Sequence, residues 1–343
     1  MRCARTITVL ATLALAGGGA AGADAATSAP DGAGSGGGYS FAVIGDVPYG
    51  ADQIAAFPGW IQQINADPDV RSVVHVGDIK NGSSVCSDDY FRLIRSDFDT
   101  FEDPLVYTPG DNEWTDCHRA NNGAYDPLER LGTLREVFFD RPGRTLGQDA
   151  FPVTSQADRG FPENVTYRRA GVTFVAADVT GSNNGLQPWT GLGNTEPTPE
   201  QRQAVQARTD ADIDELRAAF VTARSRHDRA VVVMQQADMF DPSYAPSWDD
   251  ISAFRPWVQA LVDEASSFAG PVYLIDGDSH SYHTDRPLAT GSSWLSTYRL
   301  SGAADHLTRV TVDGSSNNTD YLRVTVGAPG KPVLSWERVP YTS

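Results

Sequence analysis

Five short apolar runs in this 343-residue chain end in residues able to hold a cation: FAVIGD at Asp46, VVHVGD at Asp78, VYTPGDNE at Asp111, VVVMQQ at Gln235, and VYLIDGDSH at Asp278 and His280. In open α/β sheets, polar groups at the carboxyl ends of several strands converge on one crevice. Four carboxylates gathered there repel one another and push a pKa up unless something positive intervenes. Metal is the compensator this predicts: two divalent ions sharing a bridging carboxylate, about 3.5 to 4 Å apart.

The elements that must position these residues follow from periodicity. From Tyr39 onward, β-branched and aromatic runs alternate with helical patterns near 53–65, 88–101 and 127–139, which argues for βαβ units and a largely parallel sheet. NVTYRRAGVTFVAADV reads as a hairpin turning at Arg169-Ala170-Gly171, and GSNNGLQPWTGLGNT as a Gly/Asn-rich loop. Thr198, with Pro199 after it and Gln201 three residues on, opens a long helix through a capping box. A helix near 251–268 and three late alternating strands, HLTRVTV, YLRVTVG and PVLSWERV, finish one α/β domain over residues 39–343.

The ends and the composition bound the setting. Residues 1–25 carry Arg2 and Arg5, an apolar run and an Ala23-Asp24-Ala25 site, the pattern of a secretory signal peptide, and 26–38 form a flexible Gly/Ser-rich leader. With the signal removed, Arg2, Arg5 and Asp24 leave and the net charge goes from −17 to −18. A field of that sign disfavours nucleic acid and anionic membranes as partners, and no later stretch is long and apolar enough to span a membrane. Two cysteines remain, Cys86 and Cys117, expected as one disulfide in an oxidising compartment, tying the loops that carry Asp78 and Asp111. Lysine occurs only at Lys80 and Lys331, which points to a GC-rich bacterial source, and the N-terminal pattern and cysteine count point to a secreted protein.

Taken in order, Asp, then Gly-Asp, then a Gly-Asn-His-Glu-like motif, then a polar residue after an apolar run, then Gly-His-x-His, the motifs resemble those of the calcineurin-like metallophosphoesterases, a group that includes the purple acid phosphatases. The resemblance spans residues 39–283 and implies a four-layer α/β/β/α sandwich with a two-metal centre bridged by Asp78. The chain departs from the pattern at several points. Pro48 stands where the first motif has His, Asp111 takes the metal-binding Asn position, Asn112 that of the catalytic His, Gln235 that of a metal-binding His, and Asp278 that of the first His of the last motif.

The implied ligand set, Asp46, Asp78, Asp111, Gln235, Asp278 and His280, is rich in oxygen. It favours Mn²⁺, Mg²⁺ or Ca²⁺ over Zn²⁺, with iron admissible. The expected reaction is hydrolysis of a small phosphomonoester or phosphodiester. Lys80 and Arg119 are candidates to bind phosphate. Asn112 can hydrogen-bond phosphoryl oxygens but cannot protonate a leaving alkoxide, which leaves His118 and His283 as candidate acids. Glu113 is expected to orient Asn112 or a ligand, and Trp114 and Trp189 to wall the cleft or pack under a loop. His75 reads as a core histidine, and Asp178 as a strand-terminal turn residue.

Two other functions fit parts of the sequence. One is a catalytically inactive protein on the same fold that binds a metal, ligand or partner. The other is a serine hydrolase using Ser279 of GDSH, although that motif lies late in the chain and no Asp-x-x-His follows it.

Overall fold

The structure is a computed structural model that describes residues 38–342 except residue 244. The expected signal peptide, and all of the leader but Gly38, lie outside the described residues. Among the described residues twelve strands are present: β1 Tyr39–Ile44, β2 Val70–His75, β3 Leu105–Tyr107, β4 Thr154–Gln156, β5 Phe161–Arg169, β6 Val172–Ala176, β7 Ala230–Met234, β8 Val272–Asp276, β9 His283–Asp285, β10 Leu307–Thr311, β11 Asp320–Val326 and β12 Leu334–Pro340. They form two mixed sheets, ordered β12-β11-β1-β2-β3 and β4-β5-β6-β7-β8-β10-β9. Within the first, β1, β2 and β3 run parallel; within the second, β6, β7, β8 and β10 do.

Strand alternation explains how the sheets stack. In β1, Phe41 and Val43 face one way and Ala42 and Ile44 the other. The first pair joins a core with Phe174, Val232, Ile275 and Val310 of the second sheet. The second pair packs with Phe57, Ile61, Phe91, Phe98 and Leu134 of the helices Gly50–Asn65, Asp88–Phe98 and Pro127–Phe138. Val231, Val233 and Leu274 point outward from the second sheet onto Leu216, Phe220, Trp257 and Leu261 of the helices Pro199–Arg226 and Arg255–Ser267. The result is helix, sheet, sheet, helix in four layers. Fully burying a Val, Leu or Phe side chain contributes about 1.5–3 kcal/mol relative to exposure, so the three cores dominate the stability.

Local signals set the helix starts. Ser87 and Asp126 accept hydrogen bonds from first-turn amides, and Thr198 and Gln201 form the expected capping box. The hairpin turns at Ala170-Gly171 between β5 and β6, as its sequence requires. The pattern near 251–268 breaks into a turn at Trp248–Ile251, a short 3-10 stretch and the helix Arg255–Ser267. The last three strands do not complete one sheet: β10 pairs with β8 and β9, whereas β11 crosses to β1 and takes β12 with it. No helix among the described residues is long and apolar enough to cross a membrane.

His75 is fully buried in the helix-facing core. It accepts from the Gly77 amide at Nδ1 (3.2 Å), which leaves Nε2 to donate to the Val47 carbonyl (2.9 Å). Burial pushes the imidazole down from 6.5 to about 4. A histidine whose folded pKa is depressed costs nothing above its unfolded pKa and destabilises as pH falls from there toward the folded value. Relative to a His75→Gln variant, the wild type should therefore lose about 2 kcal/mol of stability between pH 7.5 and pH 5, and about 3 kcal/mol by pH 4. Urea unfolding of both proteins across that range checks this; parallel pH profiles would refute it.

Candidate metal centre and adjoining cleft

Each candidate ligand follows the end of a core strand. Asp46, Asp78 and Asp111 come after β1, β2 and β3, and Asp278 and His280 after β8. The centre is thus assembled from both sheets. Asp46, Asp78, Asp278 and His280 all have left-handed backbones, with φ of 55°, 58°, 68° and 61°. Non-glycine residues adopt this conformation uncommonly and at a cost of about 1–2 kcal/mol each, and such strain concentrates at functional sites. Two glycines make the close approach possible. A Cβ on Gly110 would collide with the Asp78 carboxylate and amide, and one on Gly277 with the Asp46 carboxylate.

The side chains meet as two triads. Ligand atoms of Asp46, Asp78 and His280 lie within 4.8 Å of one another, and so do those of Asp78, Asp111 and Asp278. Asp78 belongs to both. The Asp278 amide donates to both Asp46 oxygens (3.2 and 3.0 Å), and Asn112 donates to Asp78 from its amide (3.2 Å) and from Nδ2 (2.6 Å). Tyr49 Oη donates to Asp78 (2.9 Å), accepts from Asn112 Nδ2 (2.9 Å), and lies 3.4 Å from Asp46 and 3.5 Å from His280. Behind this layer, Glu113 Oε1 accepts from the amides of Asp78 (3.0 Å) and Gly110 (2.7 Å) and from Tyr107 Oη (2.9 Å). Glu113 therefore pins together the two turns that carry Asp78 and Asp111.

Electrostatics registers the crowding. Burial, then the charges of Asp111, Glu113 and Asp46, raise the Asp78 pKa well above the usual carboxylate range. Asp278 is raised likewise by burial and by Asp111 and Asp46. Burial acts downward on His280, but the Asp46 carboxylate 3.3 Å away and the charge of Asp111 outweigh it and raise its pKa. Burial also lifts Glu113 and Asp116 to about 7 and lowers Lys80 to about 8. A carboxylate group of this kind is relieved by hard divalent cations, and its oxygen donors with one imidazole suit them.

The remaining sequence candidates are placed as follows. Gln235 turns away from the triads: its side chain accepts from Trp257 Nε1 (2.7 Å) and donates to the Ala237 carbonyl (2.8 Å). Its neighbour Gln236 points the other way and reaches Asp111 (3.2 Å) and the Gly181 amide (2.6 Å), as alternation along an extended chain requires. Lys80 is fully buried and donates to the carbonyls of Asn81 (2.9 Å) and Asn112 (2.7 Å). Arg119 pairs with Asp116 at 2.7 Å and is 39% exposed; its Nη1 and Asn112 Oδ1 both lie close over Gly82.

His118 accepts from the Gly191 amide (3.2 Å) under the 190–192 turn. His283 stands 3.9 Å from Asp238 and 3.4 Å from Thr311. The Cys86–Cys117 disulfide is formed, and both sulfurs lie near the Asn112 carbonyl. Trp114 and Trp189 are buried, Trp114 beneath the Arg208 guanidinium. Asp178 is buried beside Arg208 at 3.8 Å. Ser279 Oγ is buried, and the side chain that acts with it is the Asp238 carboxylate rather than a histidine.

Several residues here carried no recognised motif. Tyr49 sits among four site residues. Ser182, in a left-handed turn with Asn183 and Asn184, places its hydroxyl between Asp111 (2.9 Å) and Asp116 (2.8 Å). One hydroxyl hydrogen serves only one of the two carboxylates at a time; burial and the charge of Asp111 raise the Asp116 pKa against the lowering effect of this hydroxyl. The available signal was the unusual run Gly181-Ser-Asn-Asn-Gly185, whose Asn and Gly residues tolerate positive φ. A polar cleft of about 270 Å³ opens here, between that turn and Asp238, Asp250, Phe254 and Asp278.

No protein-family model matches the chain, and no curated protein is similar to it in sequence. Among solved structures it is similar to GAP50, described as the anchor in the inner membrane complex of Plasmodium, at 10% identity and a TM-score of 0.42 over 90% of each chain. It is also similar to the purple acid phosphatase PPD1 from yellow lupin (Lupinus luteus) seeds, at 11% identity and a TM-score of 0.43. That match covers 84% of this chain and 49% of the lupin chain, so the present chain spans about half the length of that protein. With likenesses this distant, activity has to be argued from the site itself.

Because the Gly110 position abuts Asp78, Gly110→Ala should weaken Mn²⁺ binding at least about tenfold, the usual cost of disturbing a ligand's support. Gly132→Ala, where a Cβ meets nothing within 4 Å, is the control. Calorimetric titration of both variants tests this; equal affinities would show that Asp78 does not hold the ion.

Proposed function

We propose that this protein is a secreted, metal-dependent phosphoesterase acting on a small phosphomonoester or phosphodiester. The observation that carries this reading is the pair of donor triads sharing Asp78. Asp46, Asp78 and His280 would hold one divalent ion, and Asp78, Asp111 and Asp278 the other, with Mn²⁺, Mg²⁺ or Ca²⁺ favoured by the oxygen-rich set. Such ions, when bound, supply Lewis-acid stabilisation of charge on a transferred phosphoryl group.

The chain's own residues fill the other roles. Glu113 and Gly110 fix Asp78 and Asp111 in register, and Ser182 and Gln236 hold Asp111 from the far side. Lys80, buried against two carbonyls, braces the Asn112 backbone and leaves phosphate to the more exposed Arg119 at the rim. Asn112 spends both Nδ2 hydrogens on Asp78 and Tyr49 and has no acidic proton to give. With His118 hydrogen-bonded under the 190–192 turn and His283 beside Asp238, the site favours esters whose leaving group departs without being protonated. Secretion is supported by the N-terminal pattern and by the disulfide, which belongs to an oxidising compartment.

The commitment of Asn112 and Lys80 to internal contacts also favours a second reading, a non-catalytic protein that binds a metal or ligand on this scaffold. The deciding experiment measures metal content of the mature protein purified without chelator. It is then titrated with Mn²⁺, Mg²⁺, Ca²⁺ and Zn²⁺ while 4-nitrophenolate release from bis(4-nitrophenyl) phosphate is followed. Bound ion with metal-dependent turnover is expected, and Asp78→Ala should abolish metal binding with the fold retained. Metal without turnover would select the binding protein, and unchanged metal content in Asp78→Ala would overturn the two-ion centre.

A further inference from the structure

Among the described residues, the Asp111 side chain takes two hydrogen bonds, from Gln236 Nε2 at Oδ1 (3.2 Å) and from Ser182 Oγ at Oδ2 (2.9 Å). Both donors depend on the 181–185 turn: Ser182 belongs to it, and Gln236 Oε1 accepts from the Gly181 amide (2.6 Å). The turn lies directly on the carboxylate, since a Cβ on Gly181 would stand 2.5 Å from Asp111 Oδ2. Three successive residues in it, Ser182, Asn183 and Asn184, are left-handed, with φ of 52°, 56° and 52°. L-residues do not hold such a run without support from outside it.

Arg208 supplies that support from the helix Pro199–Arg226, where it is 2% exposed. Its Nη1 donates to Asn184 Oδ1 (2.7 Å) and to the Asp178 carbonyl just past β6, and its Nη2 donates to the Asn184 carbonyl (2.5 Å). The fork thus grips the turn by main chain and side chain together. The guanidinium also covers Trp114, 5.2 Å from the ring, and the Trp114 amide donates to the Asp111 carbonyl (3.3 Å). Gly185 fits between them: a Cβ there would come 3.2 Å from both Arg208 Nη2 and Trp114 Cη2. One side chain therefore joins the turn that orients Asp111 to the loop that carries it. Its charge is paired with the buried Asp178 (3.8 Å) and Asp212 (3.9 Å). Asp46 and Asp78 are oriented by Asp278, Asn112 and Tyr49, to which Arg208 makes no hydrogen bond among the described residues.

Resting on the two-ion reading, we infer that Arg208 is a positioning residue for the cation of the Asp78–Asp111–Asp278 triad. It fixes the 181–185 turn and, through Ser182 and Gln236, the Asp111 carboxylate, while the Asp46–Asp78–His280 triad forms without it.

The test is Mn²⁺ binding to the full chain by calorimetry. Arg208→Lys keeps a charge beside Asp178 and Asp212 but loses the fork on Asn184. Asn184→Gly removes the side-chain half of that contact while glycine keeps the left-handed backbone without strain; it decides the question if Arg208→Lys does not fold. Arg135→Lys makes the same change at the pair with buried Glu163, where the arginine makes no hydrogen bond to the turn, and is the control. The wild type should bind two ions. In Arg208→Lys and Asn184→Gly one ion should keep wild-type affinity and the other weaken at least about tenfold, with both unchanged in Arg135→Lys. In an Asp111→Ala background, Arg208→Lys should weaken nothing further, because it acts through Asp111. Unchanged affinities in folded Arg208→Lys, equal weakening of both ions, the same selective loss in Arg135→Lys, or a further loss in the Asp111→Ala background each overturns the inference and leaves the two-ion centre standing. Fewer than two ions in the wild type overturns the two-ion centre, and the inference with it.

Discussion

Asp46, Asp78, Asp111 and Asp278 bring as many as four negative charges within a few ångströms of one another, and the rest of the architecture is built around that repulsion. At an effective dielectric constant near 20, one pair of unit charges 4 Å apart costs about 4 kcal/mol. Among the described residues, no arginine or lysine forms an ion pair with any of the four. Lys80 points at backbone carbonyls, and Arg119 is bound to Asp116. Amides and hydroxyls of Asp278, Asn112, Tyr49, Ser182 and Gln236 orient the carboxylates but do not neutralise them. A set of groups so arranged is stable as anions only with cations among them, which is why the triads read as a metal centre rather than a structural ion cluster.

Holding the repelling groups in place draws on both sheets. Three candidate ligands leave β1, β2 and β3, and two leave β8, so their spacing depends on the intersheet core in which Phe41, Val43 and Val74 meet Phe174, Val232 and Ile275. Left-handed backbones at Asp46, Asp78, Asp278 and His280 then bend each side chain back over the strand ends. That strain is maintained by a rigid foundation: Glu113 under two turns, Lys80 under Asn112, and the disulfide joining the segments on either side. A loop closed over 31 residues by a disulfide gains about 3–4 kcal/mol in the chain-entropy account. That is comparable to the cost of two or three strained residues.

The sequence made the scaffold and the ligand positions readable to different degrees. Strand ends marked by Gly-Asp were legible because an apolar β-run followed by Gly and a carboxylate has few other uses, and the Thr198 capping box was legible because it is purely local. The split of the last three strands between two sheets was not, since β10 and β11 have the same alternation and only their long-range partners differ. Nor was the choice between Gln235 and Gln236, which depends on the phase of β7 where it leaves the sheet. Tyr49 and Ser182 were invisible for a related reason. A tyrosine after a proline and a serine in a Gly/Asn loop acquire meaning only when the fold sets them against Asp78 and Asp111.

The oxygen-rich donor set bears on any anionic ligand of the proposed centre. If Asp46, Asp78, Asp111, Asp278 and His280 held two divalent ions as proposed, their four carboxylates would leave less net positive charge to attract a phosphate than a histidine-rich set would. Affinity for substrate must then come from elsewhere, and in a chain of net charge −17 an anionic extension would meet further repulsion.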